Sequence, residues 1–501
     1  MEHLSTPARP RPAIAAMSSS YARLPEHFFA RLDPTPVATP RLIKFNRPLA
    51  AELGLDVGGL DEAALAAVFA GNLIPDGAEP IAQAYAGHQF GHFVPQLGDG
   101  RAILLGEVRD VNGRLRDIQL KGSGRTPFSR AGDGRAALGP VLREYLISEA
   151  MYALGIPATR ALAAVTTGEP VYREQRLPGA ILTRVAASHV RVGTFEYFAA
   201  RGDGDAVRRL ADYVIGRHYR ELAQSRQPYL ALLQAVIERH ARLVALWMQV
   251  GFIHGVMNTD NTSLSGETID FGPCAFMDAY DPATVFSSID GRGRYAYANQ
   301  AAAAQWNLAR FAETLLPLLD PIPERALELA NEAITGFTAR FDAHWLTGMR
   351  EKLGLATAED GDGELVQALL EVMHRTAADF TLTFRGLADV ASGAHHAAAG
   401  APFAETGVFD EWMLRWRSRL AREPREAAER AAAMRQVNPA FIPRNHRVEQ
   451  AIEAAVERED FLPFNDLLTV LSRPYEAQAA FAAYANPPAP GERVLQTFCG
   501  T

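Results

Sequence analysis

One stretch limits what this chain can become: "GFIHGVMNTDNTSLSGETIDFGPC", Gly251 to Cys274. His254 and Asn261 stand seven apart, and Asp270-Phe271-Gly272 follows a polar segment. Asn261 offers a neutral oxygen and Asp270 an anionic one. That is ligand chemistry for a hard divalent cation, Mg²⁺ or Mn²⁺, which also takes oxygens from nucleotide phosphates. The intervening "TSLSGETI" is expected to form a polar-tipped hairpin that brings the two together.

The spacing is that of the protein-kinase pattern H-R-D-L-x-x-x-N followed by D-F-G. Where the pattern has its catalytic base, this chain has Val256, which neither accepts a proton nor orients a hydroxyl. γ-Phosphoryl transfer by the usual route therefore lacks its base. Asp260, directly before Asn261, is the candidate base, with a loop-ordering role as the structural alternative. Upstream, Lys121 ends the alternating strand "DIQLK", and Glu144 lies 23 residues further on in the amphipathic "LGPVLREYLISEAMYALG". These are the expected phosphate lysine and the helix carboxylate that holds it, with Glu149 a rival on the same helix.

The texture of the chain fits an α+β, protein-kinase-like bilobal fold, with a sheet-rich N-lobe, a helical C-lobe and terminal extensions. Residues 1–20 read as a disordered arm and 21–80 as an N-terminal extension. Residues 81–207 form the N-lobe, in which "RAILLGEVRD" and "RLRDIQLKGSG" make a strand, a turn and a strand. The C-lobe covers 208–390, 391–407 is a loop, and 408–501 is a helical extension and tail.

"QLGDGRA" places Gly98, Gly100 and Arg101 just before a strand, where glycines admit close approach of backbone N–H groups to phosphate. Arg184 and Arg191 carry guanidinium forks suited to phosphate oxygens, and with Lys121 they suffice for a triphosphate tail. A glycine-rich basic loop, "GSGRTPFSRAGDGRAALG", adds Asp133 and Gly134. His88 and His92 lack the glutamate of a zinc motif.

A formal net charge of -8 argues against a dedicated nucleic-acid binder, and no apolar run is long enough for a membrane span. The opening residues do not resemble a secretory signal, so a cytoplasmic location is expected. Two cysteines, Cys274 and Cys499, exclude a disulfide framework.

With these residues in view, the chain resembles the selenoprotein O family, also called YdiU proteins, in its bacterial cysteine-containing form. The likeness rests on "YAGHQFGHFVPQLGDGRA", "QLKGSGRTPFSRAGDGRA", "HGVMNTDN", "DFGPCAFMD" and "VNPAFIPRNH", and covers nearly the whole chain. It implies a pseudokinase-like fold that binds ATP in a flipped orientation and transfers AMP, or in some members UMP from UTP, to protein hydroxyls. It further implies Asp260 as base, Asn261 and Asp270 as ligands of Mg²⁺ or Mn²⁺, and Lys121 held by Glu144. Gly98, Gly100, Arg101, Asp133, Gly134, Arg184 and Arg191 would contact the nucleotide. The expected partners are proteins modified on hydroxyl side chains, together with thiol-redox partners if Cys274 and Cys499 form a disulfide that pins the tail near the site.

Overall fold

The computed structural model describes residues 11–393 and 406–498. Strands occupy much of the first half: β1 (Phe29–Arg31), β2 (Arg41–Phe45), β3 (Ile81–Gln83), β4 (Gly87–Gln89), β5 (His92–Val94), β6 (Ala102–Arg109), β7 (Leu115–Lys121), β8 (Ala136–Ala137), β9 (Arg160–Tyr172) and β10 (Arg176–Ala186). Helices α1 (Arg47–Glu52), α2 (Glu62–Phe69) and α3 (Leu138–Ala153) lie among them. All these strands except β4 and β5 join one antiparallel sheet in the order β1-β3-β6-β7-β10-β9-β2, with β8 also paired to β10.

The period of two along a strand sorts the sheet's side chains between its faces. Gln119 lies opposite Arg184, and Lys121 opposite Leu182, so the polar members of β7 and β10 share the face toward α3. Ile118, Leu120, Ile181 and Val185 take the other face and are buried with Leu49, Phe69 and Leu105 under α1 and α2. The strand-turn-strand reading of 102–121 holds: Asp110 accepts the Asn112 and Arg114 amides, and Gly113 takes a positive φ of 76°.

Helices dominate the remainder of the chain: α4 (Val192–Ala199), α5 (Gly204–His218), α6 (Pro228–Gln249), α7 (Gln300–Leu319), α8 (Pro323–Lys352), α9 (Asp362–Thr376), α10 (Phe380–Ala391), α11 (Thr406–Leu420), α12 (Ala427–Val437), α13 (Asn445–Arg458) and α14 (Leu462–Leu471). Between α6 and α7 a short antiparallel pair, β11 (Phe252–Ile253) and β12 (Ala275–Phe276), closes the loop that carries Asp260 and Asp270. The fold is the expected α+β arrangement, an antiparallel sheet region followed by a helical region.

The chain ends differ from the sequence reading. Residues 11–20, expected to continue a disordered arm, are seated on the sheet. Ile14 is buried, Ser18 exchanges backbone hydrogen bonds with Glu107 at 3.0 and 2.7 Å, and Ser20 donates its hydroxyl to the Glu107 carboxylate. The scattered prolines suggested disorder, but one isoleucine and a few serines find a complementary surface that composition cannot reveal. Residues 21–80 supply β1 and β2, the opposite edges of the sheet.

The loop read over 391–407 begins where α10 ends, and α11 starts at Thr406. His395 and His396 fall outside the described residues. The C-terminal extension divides in two. α11 and α12 complete a core with α9 and α10, where Trp412 and Trp416 stack at 5.6 Å. α13 and α14 return to α3, where Phe464 meets Tyr145 edge-on.

In the core of α9 to α12, Lys352 is only 3% exposed, its ammonium lying 4.3 Å from the centre of the Phe384 ring. Burial pushes its pKa down to about 7. An unfolded lysine titrates at about 10.4, so between these values the unfolded chain binds a proton that the folded chain does not, and stability rises with pH. Lys352→Met is expected to raise the urea midpoint at pH 7, with the gain shrinking toward pH 10; equilibrium unfolding at both pH values checks it.

Candidate active site

The site begins with Asp270, a non-glycine residue at φ +64°, a conformation that costs about 1–3 kcal/mol and persists only where the surroundings impose it. Three cations impose it here. Lys121 Nζ donates to Asp270 Oδ1 at 2.8 Å and Arg184 to the same oxygen at 2.7 Å, while Arg191 donates to Oδ2 at 3.1 Å. Burial alone would raise the Asp270 pKa, but Arg184, Lys121 and Arg191 together hold it well below the usual carboxylate range.

Glu144, projecting from α3, closes the cluster. It accepts from Lys121 Nζ at 2.5 Å and from Arg184 at 3.2 Å. Glu149, the rival on the same helix, turns away to form a bidentate pair with Arg160 and to accept from Asn46. Gln119, fully buried behind the cluster, accepts from Arg184 at 2.6 Å.

The loop after β11 is fixed by backbone contacts. His254 sits inside with Nε2 against the Ile269 carbonyl at 3.0 Å, and its amide donates to Gln300. Asn261 Nδ2 donates to the Val256 carbonyl at 2.9 Å, so the amide nitrogen faces away and the amide oxygen remains for another partner. The expected hairpin over 262–269 does not form as such. Ser263 bridges to Arg191 and Thr268 to Ala158, so the two arms pair outward with neighbouring segments while Gly266 turns between them. Strand pairing is decided by what lies alongside, which polar alternation does not encode.

Asp260 is 7% exposed. Arg191 donates to its backbone carbonyl at 2.9 Å, and Gln89 Nε2 donates to its Oδ2 at 3.3 Å. Burial pushes the carboxyl up to about 6, against the opposing pull of Arg191 and of the Gln89 hydrogen bond.

These groups line two adjoining chambers. The inner, of about 330 Å³, is bounded by Lys121, Glu144, Arg184, Arg191, Asn261 and Asp270. The outer, of about 890 Å³, is bounded by Gly98, Asp133 and Gly134. Gly100, Arg101 and Asp260 border both. The structure thus gathers every sequence-predicted nucleotide and metal residue around one cleft. Gly98 has a second reason to be glycine: at φ +78° a Cβ would stand 2.4 Å from the Phe128 ring.

Cys274 is buried behind the Asp-Phe-Gly turn, and Cys499 lies outside the described residues. Two residues before it, Thr497 donates its hydroxyl to the Pro273 carbonyl at 2.5 Å and pairs with Ser287. His88 bonds Glu196, and no cluster of three potential His, Cys, Asp or Glu ligands exists among the described residues. No helix among those residues is long and apolar enough to cross a membrane.

Sequence reasoning missed Asp99 and Gln89, both in the cleft wall. Asp99 is 1% exposed, accepts from the Gln83 amide and the Gln119 side chain, and is pushed up to about 6 by burial against the pull of Arg191. Its position inside "QLGDGRA" was visible; nothing local marks it as buried.

A kinase-like sheet and loop, three convergent cations and no carboxylate in the usual base position define a nucleotide-handling enzyme of altered kinase plan. The family described as protein adenylyltransferase SelO matches residues 14–472. Curated relatives called protein nucleotidyltransferase YdiU include one from Rhizobium johnstonii, 68% identical over 493 residues and covering 98% of both chains. Another, from Rhizobium meliloti, is 67% identical over 484 residues, covering 96% of this chain and 99% of its own. A third, from a Bradyrhizobium species, is also 67% identical, covering 96% and 98%. The chain belongs to the protein adenylyltransferase SelO family.

Glu144 is 3% exposed and Arg184 2%, so removing the carboxylate leaves Asp270 alone to balance Lys121, Arg184 and Arg191 in a largely buried cluster. Glu144→Gln is expected to lose ~3 kcal/mol or more in equilibrium urea unfolding. Disrupting the exposed Arg31–Glu79 pair with Arg31→Gln should cost under about 1 kcal/mol in the same measurement.

Proposed function

We propose that the protein transfers the AMP moiety of ATP, or UMP from UTP, to Ser, Thr or Tyr hydroxyls of other proteins and releases pyrophosphate. The observation that carries this reading is the convergence of three cations at one end of the cleft. Lys121, Arg184 and Arg191 line the inner chamber, where they suit the β- and γ-phosphates, while the outer chamber has room for the nucleoside beside Asp133 and Gly134. A nucleotide held tail-inward, the reverse of a kinase, brings its α-phosphate toward Asp260 at the junction.

The chemistry then follows from the side chains. Asp260 takes the proton from the acceptor hydroxyl as its oxygen bonds to the α-phosphorus; the bond from that phosphorus to the bridging oxygen breaks, and pyrophosphate leaves. Lys121, Arg184 and Arg191 stabilise the charge that gathers on the leaving phosphates. Incoming phosphates compete for the cations that clasp Asp270, freeing its oxygens. The donor set fits a hard cation: Asn261 Oδ1 and Asp270 would hold Mg²⁺ or Mn²⁺, with phosphate oxygens completing the shell. That ion would supply neutralisation of phosphate charge. Val256 is no defect in this scheme, since nothing reacts beside it.

The test compares ATP labelled at the α- and at the γ-phosphate, with a generic protein acceptor and Mg²⁺ or Mn²⁺. Label is expected only from the α position and is expected to vanish in Asp260→Asn. Label only from γ would make the protein a kinase and reject the reversed nucleotide.

Thr497 docked at Pro273 supports control of the site by a Cys274–Cys499 disulfide. Peroxide treatment followed by mass spectrometry of the non-reduced protein is expected to yield the crosslinked peptide; its absence rejects the pairing.

A further inference from the structure

The β4–β5 ribbon stands outside the main sheet, paired only with itself. A lone two-stranded hairpin is marginally stable in water. This one is held by the catalytic-loop candidate residues. The His88 amide donates to Thr259 Oγ1 at 2.7 Å, the Gln89 side chain to Asp260 Oδ2 at 3.3 Å, and the Phe90 amide to Asn258 Oδ1 at 3.0 Å. Three successive hairpin residues thus engage three successive loop residues.

Two features show that this contact is imposed. Phe90 takes a φ of +51°, unfavourable for an aromatic residue and tolerated only where partners hold it. Gly87 lies so close to the base that a Cβ there would stand 2.6 Å from Asp260 Oδ1. Glu196 braces the pair, accepting from Thr259 Oγ1 at 2.5 Å and meeting His88 Nδ1 at 2.5 Å. Trp306 packs edge-on against the His88 ring.

We propose that Gln89 is a positioning residue for the reaction: its amide N–H fixes the plane of the Asp260 carboxylate against Gly87, so that the base meets the acceptor hydroxyl in one orientation. This rests on the reading of Asp260 as base. A carboxylate free to rotate spends much of its time misaligned, and proton abstraction needs the acceptor within hydrogen-bond reach. The kinase pattern fixes its base within the loop itself. Here Asp260 stands four residues further on and takes its orientation from a separate hairpin. Gln89 borders both chambers, so a direct nucleotide contact is the rival role.

Steady-state transfer from α-labelled ATP by the full chain separates these roles. Gln89→Met keeps the length and loses the donor; Gln89→Glu keeps the shape and places a second carboxylate against the first. Loss of a hydrogen bond to a charged group is expected to lower kcat about tenfold in Gln89→Met, with the KM for ATP changed by less than about twofold. Gln89→Glu should fall further, and Gln89→His, which retains an N–H donor, should recover part of the loss. Wild-type kcat in Gln89→Met overturns the proposal, as does a raised KM with unchanged kcat. Thermal melting monitors folding, and if Gln89→Met melts, the isosteric Gln89→Glu carries the same test. Asp260→Asn, run in parallel, keeps the two readings apart. If it stays active, the base assignment fails; if it is dead while Gln89→Met is normal, only the positioning role fails.

Discussion

The Asp270 carboxylate, gripped by Lys121, Arg184 and Arg191, is the contact on which the rest of the site depends. The three cations come from β7, from β10 and from the residue just before α4, and Glu144 adds α3 through the same lysine and arginine. One anion thereby joins the sheet to the helical half. Buried charges are tolerated because each has an opposite partner, and removing one leaves the remaining cluster with its charge out of balance. The strained backbone at Asp270 is maintained by the same grip.

That arrangement also distinguishes the two ends of the cleft. Arginines line both chambers, but in the inner one Lys121, Arg184 and Arg191 converge on a single carboxylate, and Asp260 stands where the two chambers meet. A kinase base two residues after the histidine would sit at Val256, which is 5% exposed and bonded through its carbonyl to Asn261. Asp260, four residues beyond that slot, is contacted by the separate β4–β5 ribbon through Gln89. At the other end of the chain, Thr497 reaches Pro273, while α13 and α14 buttress α3. Arg143 joins these parts, donating to the Cys274 carbonyl and to Asn445.

Much of the site was legible because its parts are local signals. Lys121 ends an alternating strand, Glu144 sits on an amphipathic helix, and His254, Asn261 and Asp270 keep a fixed spacing. Other features depend on neighbours distant in sequence. The 262–269 segment pairs with Arg191 and Ala158 because those segments happen to run beside it. Residues 11–20 find Glu107, and Gln89 finds Asp260, 171 residues away.

Residue type and short-range spacing by themselves marked out Lys121, Glu144, Asp260, Asn261 and Asp270 as the candidate site and determined the period-two and helical patterns of an α+β fold. Only the tertiary structure decided that three cations converge on one carboxylate, that Asp99 and Asp260 are buried together, and that the C-terminal helices return to the N-terminal sheet region. Periodicity fixes which face of an element is apolar. It does not say which other face will cover it, and pKa values and hydrogen-bond partners depend on that covering alone.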